Sequence, residues 1–418
     1  MSLLRAVALI VRRSLRQHLV STSITVLTTA LAAGLVLSVF SIHAQTYAAF
    51  AGGAGGFDAV LGARGNQLQL VLNAVFHLEA SAGNIPWSAY EEVAADPRVK
   101  LAIPYSMGDS VQGQRIVGTT TAMFEPRDGA RLELQPGGRV FDPHRGEAVV
   151  GSYAAAATGL TVGSTFHPAH GVVEHGAESH AEEYVVTGVL APTNTPIDRV
   201  VWIPIEGVFR MGGHVLRGAG EDFEAHPHEP IPDAHKEVSA VMLQFHSPMA
   251  GFSLEQEINR EATEATLAFP VGRVIAELFD ALGWASRVLE LVAYLVVLIS
   301  TGAILAALYN TINERRREIA ILRSLGASRR FVFSVVIAES SVIALAGAVL
   351  GVGVHAVILS VTAEVIRVRT GVVLDVFAFH SAYVWMPVGM VFLGALAGVA
   401  PAARAYATDV ANHLRPHA

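Results

Sequence analysis

The sequence predicts a membrane α-helical protein with four transmembrane helices in a 1+3 arrangement and a large α/β extracytoplasmic domain between the first and second spans. Three observations predict it. Apolar runs at Leu19–Ile42, Leu289–Tyr309, Val332–Ser360 and Ala382–Ala400 are each long enough for a bilayer core, which takes about 20 helical residues. Arginines crowd the first eighteen residues and the loop between the second and third runs, which places both on the cytoplasmic side. Residues 43–280 show short β-like runs instead, separated by Gly, Pro and Asp clusters.

Composition narrows the function. The chain has 418 residues, 52% hydrophobic and only 16% charged, and the charges lie mostly outside the apolar runs. Without cysteine it can form no disulfide, thiolate metal site or cysteine nucleophile. Lysine occurs only at Lys100 and Lys236, neither of them in a Gly-rich phosphate loop, so no P-loop is present. Work driven by ATP therefore needs a separate ATP-binding subunit. The net charge of −7 hides an asymmetry: arginine flanks the membrane, while acid and histidine fill the middle.

Residues 1–18 carry Arg5, Arg12, Arg13 and Arg16 among Leu3, Leu4, Val7, Leu9, Ile10 and Val11, the pattern of a basic amphipathic helix at the cytoplasmic interface. The apolar region after it is too long for a signal-peptide core of about 7–15 residues, so a retained first span is expected. In the outer region Leu68–Leu78 has helical spacing. Leu101–Pro104, Arg115–Thr119, Ala148–Val150, Glu183–Leu190, Val200–Ile205 and Ala240–Phe245 read as strands. From Ser253 the pattern turns helical, with Glu255, Glu257, Arg260 and Glu264 on a polar face. Pro270 permits a kink, giving a stiff stalk that leads into the second span.

The segment Asn313–Phe333 organises the rest. Ile319, Ile321, Leu322 and Leu325 give it an apolar stripe, and Gly326 offers a helix stop. Ile319, Leu322 and Leu325 at i, i+3, i+6 form a ridge bordered by Glu318 and Arg323, the kind of surface that fits a partner's groove. Glu339 is an acid inside the third apolar run. It reads equally as an interhelical contact that changes in a working cycle and as an interface-proximal acid paired with a nearby arginine. Gly347 and Gly351 in the third span, and Gly394 and Gly398 in the fourth, are spaced for close helix packing.

Nine histidines fall between His167 and His246, including His167, His170, His175, His180, His226, His228 and His235. Pro, Gly and Glu surround them and no closed-site spacing is present. They read as exposed low-complexity histidine, and no metal ligand is assigned. Neither HExxH nor GxSxG occurs, and no catalytic residue is assigned.

The run ERRREIAILRSLGASRRFVFSVVIAES resembles the coupling segment of the FtsX/MacB/LolC-type ABC transporter permeases, with Glu318, Ile319, Leu322, Arg323, Gly326, Ala327, Arg329 and Glu339 on matching positions. TGVLAPTNTPIDRVVWIPIEGV is similar to a strand–loop–strand of MacB-like periplasmic core domains through Pro196, Ile197, Asp198 and Arg199. The C-terminal PAARAYATDVANHLRP is similar to the family's terminal segment at Pro401, Ala402, Ala403, Arg404, Ala405, Leu414 and Arg415. The resemblance implies a bacterial inner-membrane permease with both termini cytoplasmic. Its residues 1–18 are an amphipathic helix, 19–42 the first span, 43–280 the periplasmic core domain and stalk, and 281–310 the second span. Residues 311–330 are the coupling segment, 331–361 the third span, 362–381 an external loop, 382–400 the fourth span and 401–418 a cytoplasmic tail. It implies a non-enzymatic subunit with no cofactor of its own, ATP and Mg being bound by a cytoplasmic ABC ATPase. The other partners implied are a second permease copy or paralogue forming a dimer, and a periplasmic adaptor, lipoprotein or hydrolase; no nucleic acid is expected. Two alternatives stay open: an FtsX-like transmitter that regulates a periplasmic partner, and metal-linked transport through the histidine segment.

Overall fold

The computed structural model describes residues 3–52, 55–78, 80–127, 130–171, 180–211, 231–260, 264–370, 372–376 and 378–407. In chain order the elements begin with helices α1 (Leu3–Gln17) and α2 (Leu19–Gly52), then β1 (Ala59–Ala63), α3 (Gln67–Ala74), β2 (Ile85–Pro86) and α4 (Trp87–Ala94). Next come β3 (Val99–Val111), β4 (Gln114–Thr119), β5 (Glu147–Val150), α5 (Ser152–Thr158), β6 (Thr165–Phe166), β7 (Ala169–His170) and β8 (Tyr184–Val189). They are followed by β9 (Val201–Pro204), α6 (Ile205–Arg210), β10 (Glu237–Val238), β11 (Ala240–Phe245), α7 (Pro248–Arg260) and β12 (Ala265–Ala268). Helices α8 (Val271–Glu314), α9 (Arg316–Ser324), α10 (Arg329–Thr370) and α11 (Ala382–Ala407) complete the chain. Two compact units result. One comprises Met1–Thr46, Leu282–Val365 and Leu374–Ala418; the other comprises Tyr47–Ala281 and Ile366–Val373.

The second unit is built on a mixed sheet in the order β12-β1-β11-β3-β4-β9-β5-β8-β6, with β7 pairing to β3. All six runs read as strands from the sequence lie in it. The β4/β9 and β5/β8 pairs are parallel, so their connections cross over rather than turn tightly. Alternation along the strands sends side chains to both faces. Val60, Ile103, Val117, Trp202 and Met242 pack with Leu70, Val71 and Phe76. Leu61, Val241 and Leu243 face the other way, against Val93, Phe209 and Leu254. With both faces covered, the strands read as nearly continuous apolar runs.

Two expectations need correction in this unit. Helix α3 stops at Ala74 rather than Leu78, because His77 takes φ 54°, which no helix can hold. The helix expected from Ser253 through a kink at Pro270 is broken as well: α7 ends at Arg260 and β12 pairs antiparallel with β1 (Leu61↔Leu267, Gly62↔Thr266). Leu267 and Ala268 are fully buried in that pairing, which outweighs the helical leaning of an Ala-rich segment. Pro270 then starts α8 instead of kinking it, its carbonyl accepting from Arg273 N–H at 3.0 Å.

The family-like Pro196–Arg199 segment forms a short 3₁₀ turn in this unit. Buried Asp198 accepts from Asn194 N–H at 2.9 Å and from Thr193 Oγ1 at 2.9 Å, and so holds Asn194 at φ 57°. The Asn194 side chain then grips Val373 on both sides: Nδ2 donates to its carbonyl at 3.0 Å and Oδ1 accepts its N–H at 2.6 Å. This amide clamp makes Ile366–Val373 part of the sheet-bearing unit. Helix α10 accordingly runs on to Thr370, through residues expected as loop.

The first unit is helical. Among the described residues four helices are long and apolar enough to cross a membrane: Leu19–Phe50, Val271–Glu314, Arg329–Val368 and Ala382–Tyr406. Their contacts are close because small residues meet there. A Cβ on Gly351 would come within 2.6 Å of Ala33 Cβ, and one on Gly347 would overlap Thr29, so α10 lies hard against α2. Gly394 and Gly398 play the same part between α11 and α10: a Cβ on Gly394 would stand 2.5 Å from Ala344 Cβ, and one on Gly398 would overlap Ser340. The outward faces are apolar, with Leu291, Leu295, Leu298 and Ile299 exposed along α8.

Two outcomes follow from this packing. Gly351→Val should lower the thermal midpoint of the detergent-solubilised chain by an overpacking cost of about 1–3 kcal/mol. Gly353→Val, where an added Cβ meets nothing within 4 Å, should leave the midpoint unchanged. In the sheet-bearing unit, burial pushes the His77 imidazole down to about 3, with the charges of Arg115 and Arg199 adding to the shift. Between its ordinary 6.5 and about 3 the unfolded chain takes a proton that the native state refuses. The stability is present above pH 6.5 and is lost as pH falls toward 3, by at most about 1.4 kcal/mol per pH unit. Melting curves of His77→Asn should be flatter over that window than those of the wild type.

Candidate functional site

The loop between the second and third apolar helices is itself helical. Arg315 continues the hydrogen-bonding of α8 (its N–H reaches Thr311 carbonyl at 3.0 Å) and supplies the carbonyl for Ile319 N–H at 3.0 Å. Helix α9 carries Glu318 in its first turn and Arg323 in its last, each the sign that suits the helix dipole. Arg315 Nε donates to Glu318 Oε2 at 2.9 Å, and this hydrogen bond holds the Glu318 carboxyl below its usual range. Gly326 closes the helix at φ 100°. Its N–H reaches Arg323 carbonyl at 3.1 Å and Ala327 N–H reaches Leu322 carbonyl at 3.0 Å, the two bonds of a Schellman turn. Ser328 then caps α10, its Oγ accepting Phe331 N–H at 3.2 Å. Two helix ends, one stopped and one started, fix the segment sharply.

The apolar ridge expected at Ile319, Leu322 and Leu325 is divided. Ile319 is buried with Ile312, Val332, Val336, Ala402 and Ala405. Leu322 is half-buried, and Leu325 is 80% exposed. At about 3.6 residues per turn, positions i and i+6 lie roughly 120° apart, so the stripe winds from the bundle to the surface. Ile321, 43% exposed, joins Leu325 on the outward side.

Glu339 is 6% exposed and accepts a 2.6 Å hydrogen bond from Ser14 Oγ. Arg315 Nη1 donates to the same Ser14 oxygen. One hydroxyl therefore joins α1, the start of the α9 segment and α10, and the acid meets its arginine through Ser14. Sequence reasoning missed Ser14, since nothing local marks a serine that pairs 325 residues away.

Of the histidines, His226 and His228 lie outside the described residues, as does His175. His167 Nδ1 stands 3.1 Å from the carbonyl of Glu182. His170 and His180 converge on Asp109 of β3, with all three ligand atoms within 4.8 Å of one another. Asp109 was not legible as a partner for them: it sits in a strand 71 residues before His180.

Long apolar helices, a basic amphipathic helix between two of them and a mixed α/β unit are the parts of a multi-pass membrane protein. An FtsX-like permease C-terminal model matches residues 290–410, and a MacB-like periplasmic core domain model matches residues 22–260, more than half of the chain. The chain belongs to the FtsX-like permeases with a MacB-like periplasmic core domain, a family of ABC transporter membrane subunits. Curated protein sequences gave no match. Among solved structures, the periplasmic region of MacB from Actinobacillus actinomycetemcomitans matches at 13% identity and a TM-score of 0.33, covering 54% of this chain and 94% of that one. The extracellular domain of YknZ, a noncanonic ABC-type transporter from Gram-positive bacteria, matches at 12% identity and a TM-score of 0.29, covering 50% and 99%. The family assignment rests on the two family models.

Removing the bridging hydroxyl should be costly. Ser14→Ala leaves a buried carboxylate without its donor, a loss of about 1–3 kcal/mol read as a lower thermal midpoint. Glu339→Gln keeps an acceptor for Ser14, and its midpoint should fall less.

Proposed function

We propose that the protein is the permease subunit of an ABC transporter of the MacB/LolC class, coupling ATP hydrolysis on a separate cytoplasmic ATPase to rearrangement of its periplasmic domain, and thereby exporting or extracting a substrate. The single observation that carries this reading is α9: a short helix between two membrane-length helices, closed at its end by Gly326 and presenting Ile321 and Leu325 outward. An apolar pair edged by Arg317 and Arg323 suits a groove on a partner protein. On its other face Ile319 is packed into the helical bundle, so a push on the outward face is passed on with little slack.

In this reading the chain binds no nucleotide. ATP and Mg sit on the partner, since no P-loop occurs in the sequence. The permease works as a dimer with a second copy or a paralogue in the inner membrane, both termini in the cytoplasm. A periplasmic adaptor, lipoprotein or hydrolase meets its outer domain.

Burying a leucine contributes roughly 1.5–3 kcal/mol, or about ten- to a hundredfold in affinity. Leu325→Glu and Leu322→Glu should therefore strip the cognate ATPase from the purified permease and abolish substrate-stimulated ATP hydrolysis. Leu325 is the sharper test, because it is exposed and its replacement leaves the fold alone. A Leu325→Glu protein that still co-purifies with the ATPase and stimulates it would remove α9 as the coupling helix.

A further inference from the structure

We infer that Asp109, His170 and His180 form a binding site for a divalent transition-metal ion of the zinc class in the sheet-bearing unit. The backbone builds the arrangement. Asp109 and His170 are directly opposed across the antiparallel β3/β7 pair. His180 is returned to the same place by its own N–H, which bonds Pro168 carbonyl at 2.9 Å. Ser110 Oγ donates to Gly171 carbonyl and ties the end of β7 to β3. The three donors thus come from chain positions 109, 170 and 180, each held by main-chain contacts.

The spacing of the donors suits a metal better than it suits hydrogen bonds alone. His170 Nδ1 lies 3.3 Å from Asp109 Oδ1, and His180 Nε2 lies 3.4 Å from the same oxygen. Charge-assisted hydrogen bonds to a carboxylate close to about 2.7–2.9 Å. Ligand atoms on a tetrahedron with metal bonds of about 2.0–2.1 Å stand roughly 3.3–3.4 Å apart. The two imidazole rings meet edge-on at 4.1 Å between centroids, with an interplanar angle of 66°, and the three ligand atoms lie within 4.8 Å of one another.

Donor type selects the ion. Two imidazole nitrogens and one carboxylate oxygen make a borderline set, suited to zinc and its neighbours rather than to calcium or magnesium, which take oxygen ligands. Burial gives the site a closed back and an open front: the Asp109 and His180 side chains are 2% and 3% exposed, while His170 is 44% exposed. Three protein ligands with one solvent-facing side leave a fourth position for water or an incoming ligand.

The test uses the full-length permease in detergent, stripped with chelator and titrated with zinc chloride alone, with cobalt(II) as a spectroscopic substitute. One equivalent should bind per chain, and the cobalt form should show the intense visible absorption of tetrahedral coordination. His170→Ala, a change at an exposed side chain that leaves the core alone, and His180→Ala should each weaken zinc by more than the roughly 10–100-fold that an outer-shell partner costs. The variant combining His226→Ala, His228→Ala and His235→Ala should keep the tight equivalent. Zinc affinity unchanged in both His170→Ala and His180→Ala overturns the assignment, as does an octahedral cobalt spectrum. Loss of the tight equivalent in the triple variant alone also overturns it, and moves the metal to the other histidines.

Discussion

Hydrocarbon offers a backbone N–H no water to bond, so every peptide group at membrane depth must find its partner within its own helix. That constraint shapes the helical unit. It accounts for α8 and α10 running 44 and 42 residues without a break, and the helices meet through small side chains and a few buried side-chain hydrogen bonds, such as Ser300 Oγ to Thr29 Oγ1 at 3.1 Å. Where apolar side chains face lipid as readily as each other, association depends on how closely backbones approach. Gly347, Gly351, Gly394 and Gly398 supply that closeness at two helix crossings, and the side chains they face (Thr29, Ala33, Ala344 and Ser340) are small as well.

A buried carboxylate in such a bundle must have its charge or its proton satisfied locally. Ser14 serves Glu339 directly and takes a hydrogen bond from Arg315 on its other side. The same arginine also holds Glu318 in the first turn of α9. A polar chain Glu339–Ser14–Arg315–Glu318 therefore runs from inside α10 to the surface of α9. Glu339 thus contacts another helix, and Arg315 stands one hydroxyl away.

The legible parts of the fold were those that a short window of sequence determines. Four apolar runs became four long helices, and six β-like runs became strands. The stop at Gly326 was readable because a Schellman turn involves neighbours only. What could not be read depended on distant pairing. The strands β1 and β12 are short and Ala-rich, with no alternation to announce them; β12 lies along β1, and β1 lies between β12 and β11. Ile319 and Leu325 look alike in sequence, yet only Ile319 has Val332, Val336 and Ala402 waiting for it. Ser14 and Asp109 are ordinary residues of their own segments until the fold brings their partners.

The amide clamp of Asn194 on Val373 has a consequence for the order in which the chain can mature. The sheet-bearing unit includes Ile366–Val373, which the ribosome delivers only with the end of α10, after α8 and α9. Residues 47–281 can begin pairing strands much earlier, but Asn194 must wait for Val373. Completion of this domain is thus tied to synthesis of the third long apolar helix. A protein truncated before that helix would leave the Asn194 side-chain amide without the Val373 backbone groups that it clasps.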